Sequence, residues 1–376
     1  MTQENAVEIY KDSDFYVPYF QVKLRGRPLG QDIVRDILQV TYKDSLSEID
    51  SFEISINNWD AAKRNFKFSD DDLFNPGKEL ELSLGYYGRD RMRKMITGEI
   101  TSLRPTFPSA GGSVLSISGL SLLHRLRKKQ ESFTYENMTD SQIARKIAQR
   151  LKMDIELPNE NSGEESNEYL FQDGVYDIIF LLERARRIGY DLFIKESNSS
   201  DSKAKSSLYF GLSDNVRKVS YHLTYGRSLI EFQPDLTTAN QVGKVTVRGW
   251  DAKKKTKIEK TATRQELKTK GVGQKGGQAD IDAAFEEREE VITNKPVRSE
   301  KEAYTLAKET LERIAKDMVK GSGSTVGLPD LRAGSVIHID GLGTRFSGRY
   351  FVTATTHIIG DSGYITQFEC RREELS

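Results

Sequence analysis

Apolar and polar residues alternate with a period of two at both ends of this 376-residue sequence. In the first third, residues 52–56 and 80–84 each place an apolar side chain at every second position. Successive side chains of a β-strand point to opposite faces, so this period indicates half-buried strands. The pattern returns at residues 243–247 and in three runs between 335 and 372. The sequence therefore predicts an antiparallel β domain at each end.

The middle of the chain has a helical period instead. Thr139 and Gln142 have the spacing of a capping box, and apolar residues then recur three and four positions apart up to Leu151. A second helix is predicted over residues 175–188, ended by Gly189, because glycine readily adopts the left-handed conformation of a helix terminus. Short strands flank a Ser-rich loop beyond it. Residues 125–230 are therefore predicted to form a small α+β domain.

A third helix is predicted within the last β domain. Ser299 and Glu302 form another capping-box pattern, and the apolar stripe that follows continues to Met318, with Gly321 as its expected end. A polar segment, residues 252–298, precedes this helix and is predicted to interrupt the strand pattern. The resulting domains are residues 1–124, 125–230 and 231–376, with the helix over residues 299–320.

Two pairs of matching segments indicate that the terminal β domains are related. One pair consists of alternating strands that end in the chain's two tryptophans, Trp59-Asp60 and Trp250-Asp251. The other pair consists of glycine-bounded strands, residues 77–85 and residues 334–341. The two pairs occur in the same order in both halves. Any two alternating strands resemble each other, so chance similarity is the competing interpretation. The coincidence of order favours an internal duplication.

The charge balance and cysteine content exclude several classes of protein. Fifty-six basic residues match fifty-six acidic residues, so the whole molecule has no net attraction to nucleic acid or to an anionic membrane. The single cysteine, Cys370, cannot form an intramolecular disulfide, which favours synthesis in a reducing cytoplasm. No signal peptide or apolar run of about 20 residues is recognisable. We expect release, if any, by lysis or within a particle.

The search for catalytic, cofactor and metal residues gives no candidate. Residues 271–276 fit G-x-G-x-x-G, but the flanking strand and helix of a dinucleotide site are missing, so a flexible loop is predicted. Lysines between residues 253 and 270 are expected to form a solvated loop or a partner-docking loop. A carboxylate pair for glycan cleavage remains open, since its spacing depends on the fold. The four histidines lie far apart in sequence, which argues against a metal site: His124, His222, His338 and His357.

Several motifs, in order, resemble the phage late-control D family. The segment from residue 169 to residue 190 and the strand ending at Trp250-Asp251 resemble family segments. A third likeness, to the carboxyl-terminal signature of the family, is carried by the following residues: Gly341, Gly343, Gly348, Tyr350, His357 and Tyr364. The resemblance covers about residues 15–373.

This resemblance implies a fold class, a function and partners. The fold class is α+β and mainly β, with two related tube-like antiparallel β-barrels and a small α+β domain between them. The family includes hubs of contractile phage tails and the hub portion of type VI and extracellular injection spikes. It implies a non-enzymatic baseplate hub, a homotrimer that initiates tube assembly and contacts the inner tube ring, a trimeric spike and other baseplate proteins. Because the sequence stops at Ser376, the spike is expected to be a separate polypeptide.

Two other functions stay open from the sequence. One is a tail-associated peptidoglycan hydrolase or glycan-binding module, against which the missing catalytic signature argues. The other is a tube or baseplate component of different stoichiometry. The sequence does not distinguish a phage tail, a pyocin-like tail and a toxin-delivery particle.

Overall fold

The computed structural model describes residues 7–8, 17–87, 92–160, 164–196, 206–212, 220–251, 254–267, 286–294, 297 and 299–372. The predicted glycine loop at residues 271–276 and part of the lysine-rich segment between residues 253 and 270 lie outside these ranges. The described residues form a mainly β protein with a few helices. The described α-helices are α1 Gln31–Asp36, α2 Asp140–Arg150, α3 Asp177–Ile188, α4 Glu300–Lys316 and α5 Gly343–Phe346. Short 3-10 turns lie at Asp72–Phe74, Leu122–Arg127 and Arg264–Glu266.

The described strands fall into three groups along the chain. The first group is β1 Val7–Glu8, β2 Pro18–Leu24, β3 Arg27–Pro28, β4 Ile37–Ser45, β5 Ser51–Asn57, β6 Trp59–Asp60, β7 Asn65–Phe66, β8 Glu79–Tyr86, β9 Arg93–Pro105 and β10 Val114–Ser121. The middle group is β11 Gln130–Met138, β12 Ile155–Glu156, β13 Asn167–Tyr176, β14 Asp191–Lys195 and β15 Ser207–Gly211. The last group is β16 Ser220–Thr224, β17 Leu229–Leu236, β18 Lys244–Asp251, β19 Thr256–Thr263, β20 Glu289–Ile292, β21 Val319–Val326, β22 Val336–Asp340, β23 Gly348–Gly360 and β24 Gly363–Arg372.

One 14-stranded sheet contains two halves with the same strand order. The first half runs β4-β5-β10-β9-β8-β2, and the second runs β17-β21-β24-β23-β22-β16. When the six strands of each half are numbered along the chain, both orders read 2-3-6-5-4-1. Four of the five pairings are antiparallel in both halves. The fifth differs, because β2 is antiparallel to β8 whereas β16 is parallel to β22.

The described strands do not close into the two separate barrels that the resemblance implies. Each half is open along its hydrogen-bonded path, and β4 of the first half pairs with β23 of the second. The reason is that β23 is 13 residues long, enough to hold two different neighbours along one of its edges. The predicted β domains are therefore observed as two connected halves of one sheet.

The repeated strand order confirms one of the two matching pairs and shows that the other is wrong. Residues 77–85 and 334–341 overlap β8 and β22, which occupy equivalent places in the two halves. The equivalent of β5 is β21, whereas β18, which ends in Trp250-Asp251, belongs to a separate three-stranded sheet with β19 and β20. Alternation shows that a segment is a strand, but it does not show which sheet the strand joins.

A long insertion separates β17 from β21 in the second half. It contains β18–β20 and α4, which share a core between Val245, Val247 and Ile258 on the sheet and Ala307 and Leu311 on the helix. The segment predicted to be polar, residues 252–298, thus contains the strands β19 and β20 among its described residues. In β19 the alternate residues Ile258 and Ala262 are buried against the helix.

The insertion helix begins where predicted and ends earlier. The hydroxyl of Ser299 accepts a hydrogen bond from the amide of Glu302 at 3.1 Å, and the helix ends at Lys316. Gly321 lies in β21 and not at the helix end. A Cβ atom there would lie 2.6 Å from the ring of Phe232. The glycine therefore allows a close approach between strands and does not terminate the helix.

The middle region confirms both predicted helices. Thr139 and Gln142 form the complete capping box of α2, and Gly189 has a φ of 71° at the end of α3. The helices are tied together by Arg184 of α3, whose Nε donates to Oδ1 of Asp140 at 2.6 Å. A separate hydrophobic core lies between these helices and the middle strands. Among the described residues, no helix combines the length and apolar character needed to cross a membrane.

Candidate functional site: the joint between the sheet halves

Strand β23 of the second half also pairs with a strand of the first half, so it joins the two halves of the large sheet. One edge pairs with β24 over residues 350–360. The other edge pairs first with β22 over residues 348–351 and then with β4 over residues 354–359. The backbone hydrogen bonds therefore pass from one half to the other without a gap. A change in the angle between the halves would break bonds of this ladder, so the joint fixes their arrangement.

Arg332, in the loop before β22, reaches from the second half into the first. Its Nε donates to Oδ2 of Asp44 at 2.5 Å, and its guanidinium also donates to the hydroxyl of Tyr42 and, at 3.3 Å, to the carbonyl oxygen of Met95. The amide of Ala333 donates to the same Asp44 oxygen at 3.1 Å. The side chain of Asp44 is 0% exposed and that of Arg332 is 22% exposed. An ion pair with a fully buried acid therefore fastens the halves together.

The surroundings of Arg332 and Tyr42 determine the protonation states of both side chains. Desolvation opposes the charged guanidinium, but the oxygens of Tyr42, Asp44 and Asp50 outweigh it and hold the pKa of Arg332 above its ordinary value. Desolvation by burial raises the pKa of Tyr42 well above 10.0, so its phenol is neutral. The hydroxyl donates to Oδ2 of Asp50 at 3.4 Å while it accepts from Arg332. The result is a directional chain of hydrogen bonds.

His357 of β23 lies beside this ion pair and is neutral. Burial, reinforced by the positive charge of Arg332, lowers its pKa from 6.5 to about 3. Its Nε2 lies 3.0 Å from the carbonyl oxygen of Leu331, which can only accept, so Nε2 carries the proton. Its Nδ1 therefore accepts, and the hydroxyls of Tyr364 and Thr366 lie 2.9 Å and 3.1 Å away. The imidazole thus links β23, β24 and the loop of Arg332.

Close contact between aromatic rings and a glycine completes the joint. The hydroxyl of Tyr86 in β8 donates to the carbonyl oxygen of Gly327 at 2.9 Å. The rings of Tyr86 and Tyr364 have centroids 5.6 Å apart. A Cβ atom on Gly327 would lie 2.0 Å from the Tyr364 ring. Only a glycine at this position lets the backbone lie flat on the ring while its carbonyl receives the Tyr86 bond.

The motif residues named from the sequence lie in four separate places: the joint, the loop before β23, the β6–β7 hairpin and the end of β18. His357 and Tyr364 are in contact at the joint. Gly341 and Gly343, both with positive φ, surround the turn that leads to α5. The structure does not bring these residues together with the tryptophan motifs.

A second group of motif residues shapes the turn before β23. Tyr350 is buried, and its hydroxyl donates to the carbonyl oxygen of Phe346 at 2.6 Å. Burial raises the pKa of Tyr350 to about 12. Gly348 has a φ of 139°, and a Cβ there would lie 3.1 Å from the guanidinium of Arg372, which donates to the carbonyl oxygen of Ser347 at 3.0 Å. Gly348, Tyr350 and Arg372 therefore shape the loop before β23.

The two tryptophans have unrelated surroundings. Trp59 lies in the short β6–β7 hairpin against Phe66, with ring centroids 5.4 Å apart. Asp60 accepts backbone hydrogen bonds from Lys63 and Ala62, which lower the pKa of its carboxyl group. Trp250 is 61% exposed on β18, and Asp251 ends that strand. The hairpin and the insertion sheet therefore use the Trp-Asp dipeptide differently.

Sequence reasoning missed the residues that hold the joint together. Tyr42 and Asp44 follow Val40 at every second position of β4, so they share its buried face. An aspartate on an apolar face was a readable signal, since a buried acid needs a partner. The partner, Arg332, lies 288 residues away in a loop, and nothing in the sequence pairs the two.

Two histidines and one aspartate come together on the outer strands of the second half. His222 of β16 and His338 of β22 are opposite each other in register, and Asp340 lies two residues further along β22. Their ligand atoms lie within 4.8 Å of one another. The two histidines are therefore neighbours in space although they lie far apart in sequence. Their distance in sequence hid a cross-strand contact.

A cleft with a volume of about 890 Å³ lies between α4, the second half of the sheet and the loop at Leu46. Four basic and four acidic side chains line it, so it has no strong preference for a charged ligand: Arg186, Arg313, Lys320, Arg371, Asp235, Glu309, Asp317 and Glu369. Cys370 also borders it, but burial and the Glu369 carboxylate raise the pKa of its thiol. A thiol with a raised pKa is a poor nucleophile.

The fold is similar to those of solved tail proteins over almost the whole chain. The 43 kDa tail protein of prophage MuSo2 from Shewanella oneidensis superposes with a TM-score of 0.71 at 14% identity, covering 94% of this chain and 98% of that chain. The tail protein from Neisseria meningitidis MC58 has a TM-score of 0.68 at 14% identity, covering 95% and 97%. These likenesses show a shared fold.

A type VI secretion component has the same fold more distantly. The Escherichia coli protein c3393, described as similar to the T4 bacteriophage tail proteins gp27 and gp5, has a TM-score of 0.57 at 12% identity and covers 94% of this chain and 77% of that chain. The expected likeness to tail and type VI proteins is thus confirmed at the level of fold. No curated protein sequence matches the chain.

The family assignment differs from the one suggested by the sequence motifs. The matching family model is not that of the late-control D family, so that resemblance is not confirmed as family membership. The match extends from residue 16 to residue 361, which includes the first sheet half and all strands of the second half except β24. The chain belongs to the family described as the Alg8 N-terminal domain.

Proposed function

We propose that this chain is the structural hub of a phage tail or contractile injection system. In this role three copies form a ring that receives the inner tube on one side and a trimeric spike on the other, and from which tube assembly begins. The proposal assigns two tube-like modules to residues 1–124 and 231–376 and a connecting α+β module to residues 125–230, whose end contributes β16 and the start of β17 to the second module. The particle would be assembled in the bacterial cytoplasm, and other baseplate proteins would surround the hub.

The repeated strand order carries this proposal. Two halves with the order 2-3-6-5-4-1 give each copy two similar surfaces. Three such copies would present six similar surfaces, which allows a threefold object to meet a sixfold tube ring. A ring of this kind closes through heterologous contacts between unlike faces of neighbouring copies. The likeness of fold to tail and type VI proteins supports the same role.

The joint has a mechanical part in this proposal. If the two halves of one copy occupy neighbouring positions in a ring, the angle between them must be fixed before the ring can close. The shared strand β23 and the buried Arg332–Asp44 pair meet that requirement. We propose that motif residues His357 and Tyr364 stabilise this angle, while Gly341, Gly343, Gly348 and Tyr350 shape the loop next to it. No bond is made or broken in this role.

The native mass of the purified, tag-free protein tests the stoichiometry. We expect a species of about three times the chain mass of 42.6 kDa by native mass spectrometry or light scattering. Obligate interfaces of this kind bury about 2,000 Å² or more, so the trimer should persist on dilution. A monomer at all concentrations, or a closed assembly of another number, would contradict the hub.

A cell-wall turbidity assay on the same sample tests the other reading, a peptidoglycan hydrolase. A structural hub leaves the turbidity of purified cell-wall fragments unchanged. Clearing that persists through size-exclusion chromatography with the protein peak would contradict a purely structural role.

A further inference from the structure

The cluster of His222, His338 and Asp340 is built into the outer strands of the second sheet half. Strands β16 and β22 are parallel neighbours, and their register places the two histidines side by side. Along each strand the neighbouring residues point to the opposite face. Leu223 follows His222, and Ile337 and Ile339 flank His338; all three are buried in the core of the second half. Burial on that face turns the histidines and the aspartate together to the other face.

The donor atoms converge on the carboxylate of Asp340. Nε2 of His338 lies 3.2 Å from Oδ1, and Nε2 of His222 contacts Oδ2. The two imidazole rings are 5.0 Å apart between centroids and lie at 82° to each other. A zinc ion holds nitrogen and oxygen ligands at about 2.0–2.2 Å, which requires ligand atoms roughly 3.3 Å apart. The observed separations of up to 4.8 Å fit that requirement after small side-chain rotations.

We propose that His222, His338 and Asp340 bind one divalent transition-metal ion of the zinc class. Two imidazoles and one carboxylate form a donor set that suits zinc, nickel and copper better than calcium or magnesium, which prefer oxygen ligands. The three side chains are 36–43% exposed, so water can fill the remaining coordination positions. Arg349 lies opposite His338 on β23 and adds a positive charge nearby. Its positive charge repels a bound cation and weakens binding at this site.

The bound ion would link two neighbouring strands that otherwise depend on a short parallel ladder. Parallel pairing is slightly less stable per residue than antiparallel pairing. The pairing of β16 with β22 is also where the two halves differ in strand direction. The ion would therefore act as a clip at this one position. This inference is independent of the hub role, because it rests only on the geometry of the three side chains.

Calorimetric titration of the tag-free protein with zinc chloride, after treatment with a chelator and removal of the chelator, tests the proposal. We expect one ion per chain. Each single variant, His222→Asn, His338→Asn and Asp340→Asn, should weaken binding at least about tenfold, and the double histidine variant should abolish it. Cobalt titration gives a second readout, since imidazole-bound cobalt absorbs in the visible range.

The variant His124→Asn is the matched control. His124 contacts a single carboxylate, that of Glu99 at 3.0 Å, and should not contribute to binding. Wild-type protein that binds no zinc would overturn the proposal. Zinc binding of unchanged stoichiometry and affinity in the double histidine variant would overturn it as well. Because all three residues face outward, circular dichroism should show each variant to be folded.

Discussion

Replacing Arg332 with leucine should lower the free energy of unfolding by about 3 kcal/mol. The change removes the cation and leaves the carboxylate of Asp44, which is 0% exposed, without its charged partner. A buried charge that loses its partner is destabilising by about 3–5 kcal/mol, and the partial exposure of Arg332 favours the lower end. The amide of Ala333 still donates to Asp44, so the carboxylate retains one hydrogen bond. Urea denaturation followed by far-UV circular dichroism measures the difference.

Arg93→Leu is the matched control for this prediction. Arg93 also joins the first half to the loop of the second, through Asp330 at 2.8 Å, but both side chains are about 40% exposed. An exposed pair contributes about 1 kcal/mol or less. The double variant Arg332→Leu and Asp44→Leu should recover part of the loss, because it no longer buries an unpaired charge. Equal costs for Arg332→Leu and Arg93→Leu would contradict our account of the joint.

Acidification should destabilise the protein through His357 by several kcal/mol. The pKa of His357 is about 3 in the folded protein and 6.5 without its surroundings. Between these values the unfolded chain binds one proton more than the folded chain, so stability falls as pH falls. The contribution is fully present above pH 6.5 and decreases by about 1.4 kcal/mol for each unit below it. From pH 6.5 to pH 5 the loss at this residue is about 2 kcal/mol.

Comparison with His357→Gln isolates this contribution from that of the carboxylates. The glutamine amide can still donate to the carbonyl oxygen of Leu331, but it does not titrate. We therefore expect the unfolding free energy of the wild type to fall about 2 kcal/mol further than that of the variant over the same pH interval. Parallel pH profiles for the two proteins would show that the imidazole is not held neutral by burial. Denaturant titrations at half-unit steps of pH provide the data.

Local features of the fold were predictable from the sequence because they depend on neighbouring residues. The capping box at Thr139, the glycine terminus at Gly189 and the three final strands all appear as expected. Each depends on spacing within one turn of helix or one strand. The equivalence of residues 77–85 and 334–341 was also predictable, since both strands are bounded by glycine and both are followed by another strand.

Long-range partners were not predictable, since they depend on which strands become neighbours. The match between the strands ending at Trp59 and Trp250 failed because β18 joined the insertion sheet, where α4 covers it. Strand β19 was not predicted because its segment is mostly polar. Within β19, only Ile258 and Ala262 belong to the core of the insertion. The histidine cluster and the Arg332–Asp44 pair bring together residues more than 100 positions apart. At the joint, His357 and Tyr364 were identified from the sequence. The charged residues Arg332, Asp44 and Asp50 were not.

End-on electron microscopy of the purified assembly tests the central claim most directly. If each copy contributes two similar sheet halves at a fixed angle, class averages should show a ring with six lobes of similar size, and labels fused to one terminus should mark only every second lobe. A ring with three lobes, or one in which every lobe carries a label, would contradict the account.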